Sequence, residues 1–372
     1  MRRDTIKIGF VSTFSGPTAV IGNDMRNSFE LALDHLGRKM GGKPVEVIYE
    51  DDGQKPDVGK QKTEKLIQSD KVDFIVGYIW SNVLLASLKT AVDCKTFLIS
   101  ANAGPSQLAG ELCSPYVFST SWQNDQTPQA MGLYMNQKGV KSVFLIGPNY
   151  AAGKDMLAGV KSHLQGRGGR RGIYGVAEPA RLLGRAVEGA QLEAGVDLRV
   201  LSGRRRRPVP QPICAGRHQG ADPALHRVHH RRIVAAAAEG KSRSAFPARR
   251  NGSTTCRTSR TRSSSTTTAR STPACARPFT ARSPMTPRSS INSAVVAVKG
   301  DTSKKDAMKA EMEKANFKSV RGPFKYGNNH IPIQNFYLQD VVKDADGQLS
   351  LKTVATIVKD SQDRFHDKCP MK

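Results

Sequence analysis

Two short polar turns contain the residue types best suited to holding a small ligand. The first, SN at residues 81–82, follows an apolar run at residues 72–76 and precedes a helical pattern of Val and Leu. The second, ANA at residues 101–103, follows another apolar run at residues 96–100. Hydroxyls and free backbone N–H groups at the carboxyl ends of parallel strands bind small ligands. The spacing therefore predicts a ligand site at these turns, although Ser81 could instead be a plain helix N-cap.

The surrounding elements alternate between strand and helix. Predicted strands cover residues 5–11, 45–49, 72–76, 96–100, 116–119, 143–146, 335–341 and 351–358. Predicted helices cover residues 19–38, 56–69, 81–93, 126–137, 154–162 and 303–315. This order predicts the α/β class, with a doubly wound parallel sheet in the first part of the chain and a second α/β lobe beginning near residue 126.

The positive charge of the chain is concentrated in one segment. Of a formal net charge of +25, residues 166–290 contribute +19, with 24 Arg and one Lys, whereas the remainder holds 26 Lys and six Arg. A charge of this size by itself suggests a nucleic-acid or membrane-surface partner. Outside the segment only +6 remains, so we expect no nucleic-acid partner. There is also no apolar run of the length that a transmembrane helix needs.

Strand and helix periodicity is lost between residues 163 and 290, and it returns at residue 291. A long disordered insert inside an α/β domain is improbable. One base inserted near His163 explains the segment better, because AGVDLRVLSG can then be read as PASIFVFYP, a buried strand. A second shift near Ser242 turns the Met-Thr pair at residues 285–286 into a codon for Asp without any codon choice, and a third shift near Ser290 restores the frame.

The alternative to a shifted frame is a natural Arg-rich linker. As written, the segment is expected to be disordered or poorly packed and to supply no strand to the second lobe. We therefore expect the chain as written to have no ordered, closing cleft and to bind no solute.

A cluster at His226, His229 and His230 has no metal-site spacing and lies inside the same segment.

Six motifs outside this segment form a specific set. They are TIKIGFVSTFSGP, EDDGQKPDVGKQKTEKLI, GYIWSN, ISANAGPSQLAG, CSPYVFSTSWQND and NYAAGKD. As a set they resemble the type I periplasmic solute-binding proteins, the group of leucine/isoleucine/valine-binding proteins that serve ABC importers. The resemblance covers about residues 4–162 and 291–372 as written. It implies two Rossmann-like lobes with parallel sheets, joined by three crossovers and closing on a ligand in the cleft.

The resemblance also implies a division of the chain between the lobes. Residues 4–120 are the first part of lobe 1, and residues 121–165 begin lobe 2. Residues 166–290 would supply the rest of lobe 2 and the return to lobe 1 once the frame is corrected. Residues 291–325 then belong to lobe 1, and residues 326–372 supply the last strands of lobe 2.

The family pattern places a ligand carboxylate at the two polar turns. Ser81 and the Asn82 backbone match the position that holds the carboxylate at a helix N-terminus. Ala101, Asn102 and Ala103 match the second turn on the carboxylate side, where Asn102 is polar enough to meet a ligand group.

Three aromatic residues complete the expected site. Tyr150 matches the aromatic residue of the second lobe that closes over the ligand, although it could be a surface-loop tyrosine. Trp80 and Trp122 are the two tryptophans of the chain and lie beside predicted cleft turns. They could stack on an aromatic ligand or could simply pack at the hinge.

The function implied by the resemblance is the capture of a small carboxylate for an ABC import system. The expected partners are the permease and ATPase of that system, and the expected state is a periplasmic monomer without a cofactor. Residues 1–3 lead straight into a predicted strand, so we expect no signal peptide here: either the chain is cytoplasmic, or its leader has been removed or left out. The turn around Trp80 favours an aromatic acid such as benzoate, and a branched-chain amino acid is the alternative.

Other classes of function are less well supported. The chain contains no Gly-rich phosphate loop and no Ser or Cys in a nucleophile-elbow context, so an enzyme is not expected. A ligand-sensing regulator on the same fold would normally carry an output domain, which the sequence does not indicate.

The cysteine content predicts one disulfide. Three of the six Cys lie in the Arg-rich segment, which leaves Cys94, Cys113 and Cys369. An odd number suggests one pair and one leftover thiol. We expect the pair Cys94–Cys113, with three free thiols as the alternative.

Overall fold

The computed structural model describes most of the chain in nine stretches. These are residues 4–140, 143–163, 171–174, 197–199, 231–235, 285–317, 319, 324–343 and 349–371. The strands are β1 (Ile6–Ser12), β2 (Lys39–Met40), β3 (Lys43–Asp51), β4 (Phe74–Gly77), β5 (Phe97–Ser100), β6 (Val117–Ser119), β7 (Phe144–Pro148), β8 (Arg171–Tyr174), β9 (Asp197–Arg199), β10 (Arg231–Ala235), β11 (Lys325–Tyr326), β12 (Pro332–Lys343) and β13 (Leu349–Ser361).

The helices alternate with these strands in the first half of the chain and return after the Arg-rich segment. They are α1 (Ala19–Asp34), α2 (Pro56–Gln68), α3 (Ser81–Asp93), α4 (Ser106–Ala109), α5 (Gln126–Gln137), α6 (Ala151–His163), α7 (Met285–Ala297) and α8 (Lys305–Lys314). Helix α1 ends four residues before the predicted end at residue 38, because the chain turns through Gly37 and Arg38, which both have positive φ. No helix in the described stretches is long and apolar enough to cross a membrane.

The first lobe is built on a six-stranded sheet in the order β2-β3-β1-β4-β5-β6. All its pairings are parallel except that of β2 with β3. Ile8 pairs with Phe74, and Phe74 pairs with Phe97, so large side chains align across the strands and are fully buried. The predicted α/β class with a parallel sheet is confirmed. The carboxyl ends of β1, β4 and β5 meet at one edge, which brings the two polar turns together.

Helices α7 and α8 return to the first lobe. Ile291, Ala294 and Val295 of α7 and Met308 and Met312 of α8 are buried in the same apolar cluster as the six-stranded sheet. The predicted return of order at residue 291 is therefore six residues late, because α7 begins at Met285.

The second lobe contains α5 and α6 and two groups of strands. Strand β7 pairs in parallel with β8 and β9, and β12 pairs antiparallel with β10 and β13. The apolar cluster of this lobe includes residues of α5, α6 and β12, which are Ala130, Met135, Leu157, Val160, Phe336 and Leu338.

Strands β8, β9 and β10 lie inside the Arg-rich segment. The expectation that residues 166–290 supply no strand to the second lobe is wrong at these three positions. The physical reason is that ladder hydrogen bonds come from the backbone, which almost any sequence can supply. The residues between these strands, including the four Arg at 204–207 and the three clustered His, lie outside the described residues.

A disulfide ties the C-terminal segment to the first lobe. Cys113 is bonded to Cys369 with a Cα–Cα distance of 5.6 Å across 256 residues of sequence. Cys94 is an exposed free thiol, so the predicted pair Cys94–Cys113 is wrong. Cys94 follows the end of α3 at the surface, whereas residues 365–369 pack against the turn at Gly110 and carry Cys369 to Cys113.

Candidate ligand-binding cleft

The two polar turns are joined by hydrogen bonds at the carboxyl edge of the first-lobe sheet. The Ala101 N–H donates to the Gly77 carbonyl at 2.9 Å. The side-chain amide of Asn102 donates to the Ile79 carbonyl at 3.0 Å. These bonds hold the turn after β5 against the turn after β4, as the strand order predicted.

Ser81 is the first residue of α3 rather than its N-cap. The N-cap is Trp80, whose extended backbone (ψ 130°) precedes the helix and whose side chain makes no capping bond. The alternative interpretation of Ser81 as a plain helix N-cap is therefore wrong by one position. Its hydroxyl is instead buried and accepts a hydrogen bond from the Asn124 side chain at 3.1 Å.

The other residues of the two turns are small or polar. Ala101 and Ala103 are buried, so no side chain larger than a methyl group projects from these two positions. Asn82 is half-buried, and its Oδ1 atom has no hydrogen-bond partner within the described stretches. A buried amide oxygen without a partner is costly, which suits a position that a ligand group or water completes.

Trp80 is held by a chain of two hydrogen bonds. Its indole N–H donates to the Thr13 Oγ1 atom at 3.0 Å. The Thr13 hydroxyl donates in turn to Asp52 Oδ1 at 2.5 Å, and the Gln54 N–H donates to the same oxygen. Because the Thr13 oxygen already accepts from the indole, its single proton goes to Asp52, and the direction of both bonds is fixed.

Asp52, which accepts the second of these two hydrogen bonds, is fully buried. Burial raises the pKa of its carboxyl group, while the bonds from Thr13 and Gln54 act in the opposite direction. Its second oxygen, Oδ2, has no partner among the described residues. The Asp52 Cβ atom lies near Gly59 at the start of α2, and the carboxyl group supports Trp80 through the Thr13 hydroxyl.

Removing the Thr13 hydroxyl should loosen Trp80. In Thr13→Val the indole N–H and Asp52 both lose a buried partner, so we expect a loss of about 1–3 kcal/mol in the free energy of unfolding. In a Trp122→Phe background, where Trp80 is the only tryptophan left, its emission maximum should shift as well. Denaturant unfolding and fluorescence measure both effects, and Thr13→Ser should restore them. Equal stability and emission in Thr13→Val would show that the hydrogen bonds through Thr13 do not hold the indole.

Tyr150 comes from the second lobe and reaches Trp80. It precedes the first residue of α6, and its ring centroid lies 6.1 Å from that of Trp80 at an interplanar angle of 60°. The ring packs against the apolar cluster of the first lobe, so it is not an isolated surface-loop tyrosine.

A carboxylate makes the second contact between the lobes. Asp155 of α6 accepts a hydrogen bond from the Ser106 N–H of α4 at 3.0 Å. Within the described residues the two lobes are therefore in contact through Tyr150 and Asp155. The expectations that the chain as written has no ordered, closing cleft and binds no solute stay predictions.

Trp122 lies in the crossover between β6 and α5. Its side chain is half-buried against the apolar cluster of the second lobe. Its carbonyl oxygen approaches Gly104 so closely that a Cβ atom there would lie 1.9 Å from it. Trp122 thus packs at the crossover, and its stacking on a ligand stays a prediction.

A buried acid follows Trp122 in the same crossover. Asp125 is fully buried, and the Arg364 Nε atom lies 2.5 Å from its Oδ2 atom. Burial raises the pKa of Asp125 to about 7, although the Arg364 charge opposes this shift. The pair connects the crossover to the C-terminal segment.

Sequence reasoning missed four polar residues of the cleft: Thr13, Asp52, Asn124 and Asp155. All four stand inside the motifs that carried the resemblance, at TFSGP, EDDG, SWQND and NYAAGKD. Their positions beside strand ends were visible, but their partners were not. In the described stretches, no group of three His, Cys, Asp or Glu side chains is arranged to hold a metal ion.

Comparison with known proteins agrees with this geometry. Residues 5–180 match the family described as periplasmic binding protein. A curated relative, Leu/Ile/Val-binding protein homolog 6 of Brucella abortus, is 28% identical over 167 residues, which are 45% of this chain and 42% of the relative. The match thus spans less than half the length of the curated relatives.

Solved structures match over nearly the whole chain. A solute-binding protein of an ABC transporter from R. palustris, in complex with benzoate, has a TM-score of 0.76 at 21% identity and covers 99% of this chain and 100% of its own. A solute-binding protein from Rhodopseudomonas palustris BisB5, in complex with 3,4-dihydroxybenzoic acid, has a TM-score of 0.71 at 22% identity, with coverages of 97% and 99%.

Fold and family agree on the class of protein. The match to the periplasmic binding protein family covers residues 5–180, just under half of the chain. The fold of the chain is that of the type I periplasmic binding proteins. The resemblance inferred from the sequence motifs is therefore confirmed.

Proposed function

We propose that this chain is the solute-binding component of an ABC import system and captures a small carboxylate between its two lobes. The observation that carries the proposal is the placement of Ser81. Its hydroxyl lies in the first turn of α3 and receives a hydrogen bond from Asn124. Two residues of the second lobe, Tyr150 and Asp155, meet the first lobe beside it.

Helix α3 supplies the electrostatic part of the site. The first N–H groups of a helix lack partners within it, and the helix dipole places partial positive charge at this end. Anions bind readily at such a terminus. The Ser81 hydroxyl and the N–H of Asn82 would hold the carboxylate, and the buried turn at Ala101, Asn102 and Ala103 would line its other side.

An aromatic acid is the ligand we favour. Trp80 and Tyr150 approach each other from opposite lobes, so a flat ring next to the carboxylate would contact both aromatic faces. Trp122 would border the ligand from the crossover. The related solved structures hold benzoate and 3,4-dihydroxybenzoic acid, while the curated relatives are Leu/Ile/Val-binding proteins. A branched-chain amino acid is therefore the alternative ligand.

The same proposal covers location and partners. The protein would act in the periplasm as a monomer, deliver its ligand to a permease and ATPase complex, and need no cofactor or nucleic acid. Residues 4–120 and 291–325 would form lobe 1. Residues 121–165 and 326–372 would contribute to lobe 2, which residues 166–290 would complete in the corrected frame.

A thermal-shift screen against benzoate, cinnamate, leucine and isoleucine tests the proposal. Two full-length forms are compared: the chain as written and the chain with residues 166–290 in the corrected frame. We expect benzoate or cinnamate to stabilise the frame-corrected form alone. Stabilisation by leucine alone would replace the aromatic acid by the alternative ligand, and stabilisation of neither form by any compound would contradict the proposal. Sequencing of the coding DNA and intact mass decide the frame itself.

Ser81→Ala should weaken binding of the carboxylate. A hydrogen bond to a charged group contributes about 1.5–3 kcal/mol, so the binding free energy should become less favourable by that amount while the fold is kept. Calorimetric titration with benzoate measures the loss. Ser87→Ala is the matched control, because Ser87 is a buried serine of the same helix whose hydroxyl donates to the Val83 carbonyl. Unchanged affinity in a folded Ser81→Ala variant would remove Ser81 from the site.

A further inference from the structure

We propose that Asn124 is a positioning residue of the carboxylate site, which orients the Ser81 hydroxyl toward the ligand and is itself held by Asp155 of the second lobe. The inference rests on the proposed function and extends it to a residue outside the two polar turns. Asn124 lies in the crossover between β6 and α5 and is 5% exposed. Its backbone N–H donates to the Gly104 carbonyl at 2.8 Å, which fixes the side chain beside the second turn.

The orientation of the Asn124 amide is set by its partners. The Gly104 N–H can only donate, so the Asn124 atom 3.3 Å from it must be the oxygen Oδ1. The Asp155 carboxylate oxygen accepts, so the atom 3.0 Å from it must be the nitrogen Nδ2. Exchange of the amide oxygen and nitrogen would place two donors together and two acceptors together, and the amide therefore has one favourable orientation.

This orientation determines what the Ser81 hydroxyl can do. The same Nδ2 atom lies 3.1 Å from Ser81 Oγ, and an amide nitrogen can only donate. The Ser81 oxygen is thus the acceptor, and its own proton stays available for a ligand. Within the described stretches that hydroxyl donates to no protein acceptor. A hydroxyl that already accepts a hydrogen bond is polarised and donates more strongly to a carboxylate.

Asp155 links this arrangement to the closure of the cleft. It belongs to α6 of the second lobe, and its Oδ2 atom accepts both from Asn124 Nδ2 and from the Ser106 N–H of α4. Ser81 and Ser106 belong to the first lobe, whereas Asn124 and Asp155 lie in residues 121–165, so separation of the lobes would strain the bond from Asn124 to Ser81 and the bond from Ser106 to Asp155. The Ser81 hydroxyl is therefore held most firmly when the lobes are in contact.

A double-mutant cycle with benzoate tests the positioning role, using whichever full-length form binds in the screen. Asn124→Ala should weaken binding at least tenfold. The double variant with Ser81→Ala should bind no more than about threefold more weakly than Ser81→Ala alone, because both changes remove one interaction. If the losses of affinity from the two single substitutions multiply in the double variant, the proposal is overturned. The control Asn328→Ala removes an exposed asparagine from the loop between the antiparallel strands β11 and β12 and should leave the affinity unchanged. An equal loss of affinity in this control would overturn the positioning role of Asn124.

A measurement on the free protein keeps the inference independent of the ligand. The two side-chain amide protons of Asn124 are followed by NMR. Ser81→Ala should shift one of them, and Asp155→Asn should shift the other, because each proton has a different acceptor. Both variants leave Asn124 in place. If no carboxylate binds, the proposed function fails while this readout still decides the hydrogen bonds. Amide resonances that move in neither variant would overturn the inference.

Discussion

Gly104→Ala should destabilise the protein by more than about 3 kcal/mol and abolish binding. The added Cβ atom would lie 1.9 Å from the Trp122 carbonyl oxygen and 3.1 Å from the Gln123 Cα atom. Both neighbours are backbone, so the crossover itself must move, and overpacking that shifts backbone lies at the costly end of the measured range. The same shift would pull Asn124 away from Ser81. Denaturant unfolding and calorimetry measure the two effects.

A second glycine serves as the control for this prediction. A Cβ atom at Gly147 of β7 would have its nearest neighbour, the Leu157 side chain, at 3.4 Å. Gly147 lies within a strand, where the backbone conformation also suits alanine. We therefore expect Gly147→Ala to change the free energy of unfolding by less than about 1 kcal/mol, the ordinary range for a mild substitution. Equal costs at the two positions would mean that the approach of the crossover to Gly104 has no special importance.

Removing the disulfide should lower the free energy of unfolding by about 2–5 kcal/mol, the usual loss for a native disulfide. The bond between Cys113 and Cys369 closes a loop of 256 residues, so it strongly restricts the unfolded chain in the loop-entropy account. The variant carries Cys113→Ser and Cys369→Ser, and denaturant unfolding without reductant measures the change.

The free cysteine provides a matched control for the disulfide. Cys94 is exposed and unpaired, so Cys94→Ser should leave stability within about 0.5 kcal/mol, as for other surface changes. A loss from Cys94→Ser as large as that from the double variant would restore the pair Cys94–Cys113 that the sequence suggested, because the double variant also removes Cys113.

The fold of the first lobe was predictable because short stretches of sequence are enough to identify its main strands. Strands such as β4 and β5 are short apolar runs buried on both faces, and such runs are visible in any window of sequence. The polar turns after them lie where parallel strands end, so the sequence alone is enough to select Ser81 and Asn102. Strand β2 and helix α4 were missed because they are two and four residues long, too short to show a period.

The contacts within the site were not predictable because they connect distant parts of the chain. Asn124 meets Ser81 across 43 residues and Asp155 across 31 residues. Trp80 meets Thr13 across 67 residues. No spacing rule relates such pairs, since their approach depends on how the crossovers place one lobe against the other. The disulfide was mispredicted for the same reason, because Cys369 returns to the first lobe only through its C-terminal segment.

The most direct test of carboxylate capture compares two ligands of nearly equal shape by calorimetry. Benzoate and benzamide have the same ring, but only benzoate carries a negative charge to the N-terminus of α3. In the full-length form that binds, benzoate should bind at least tenfold more tightly than benzamide, because a charged hydrogen bond to Ser81 and the helix terminus is lost in the amide. Equal affinity for the two compounds would contradict a carboxylate site at Ser81.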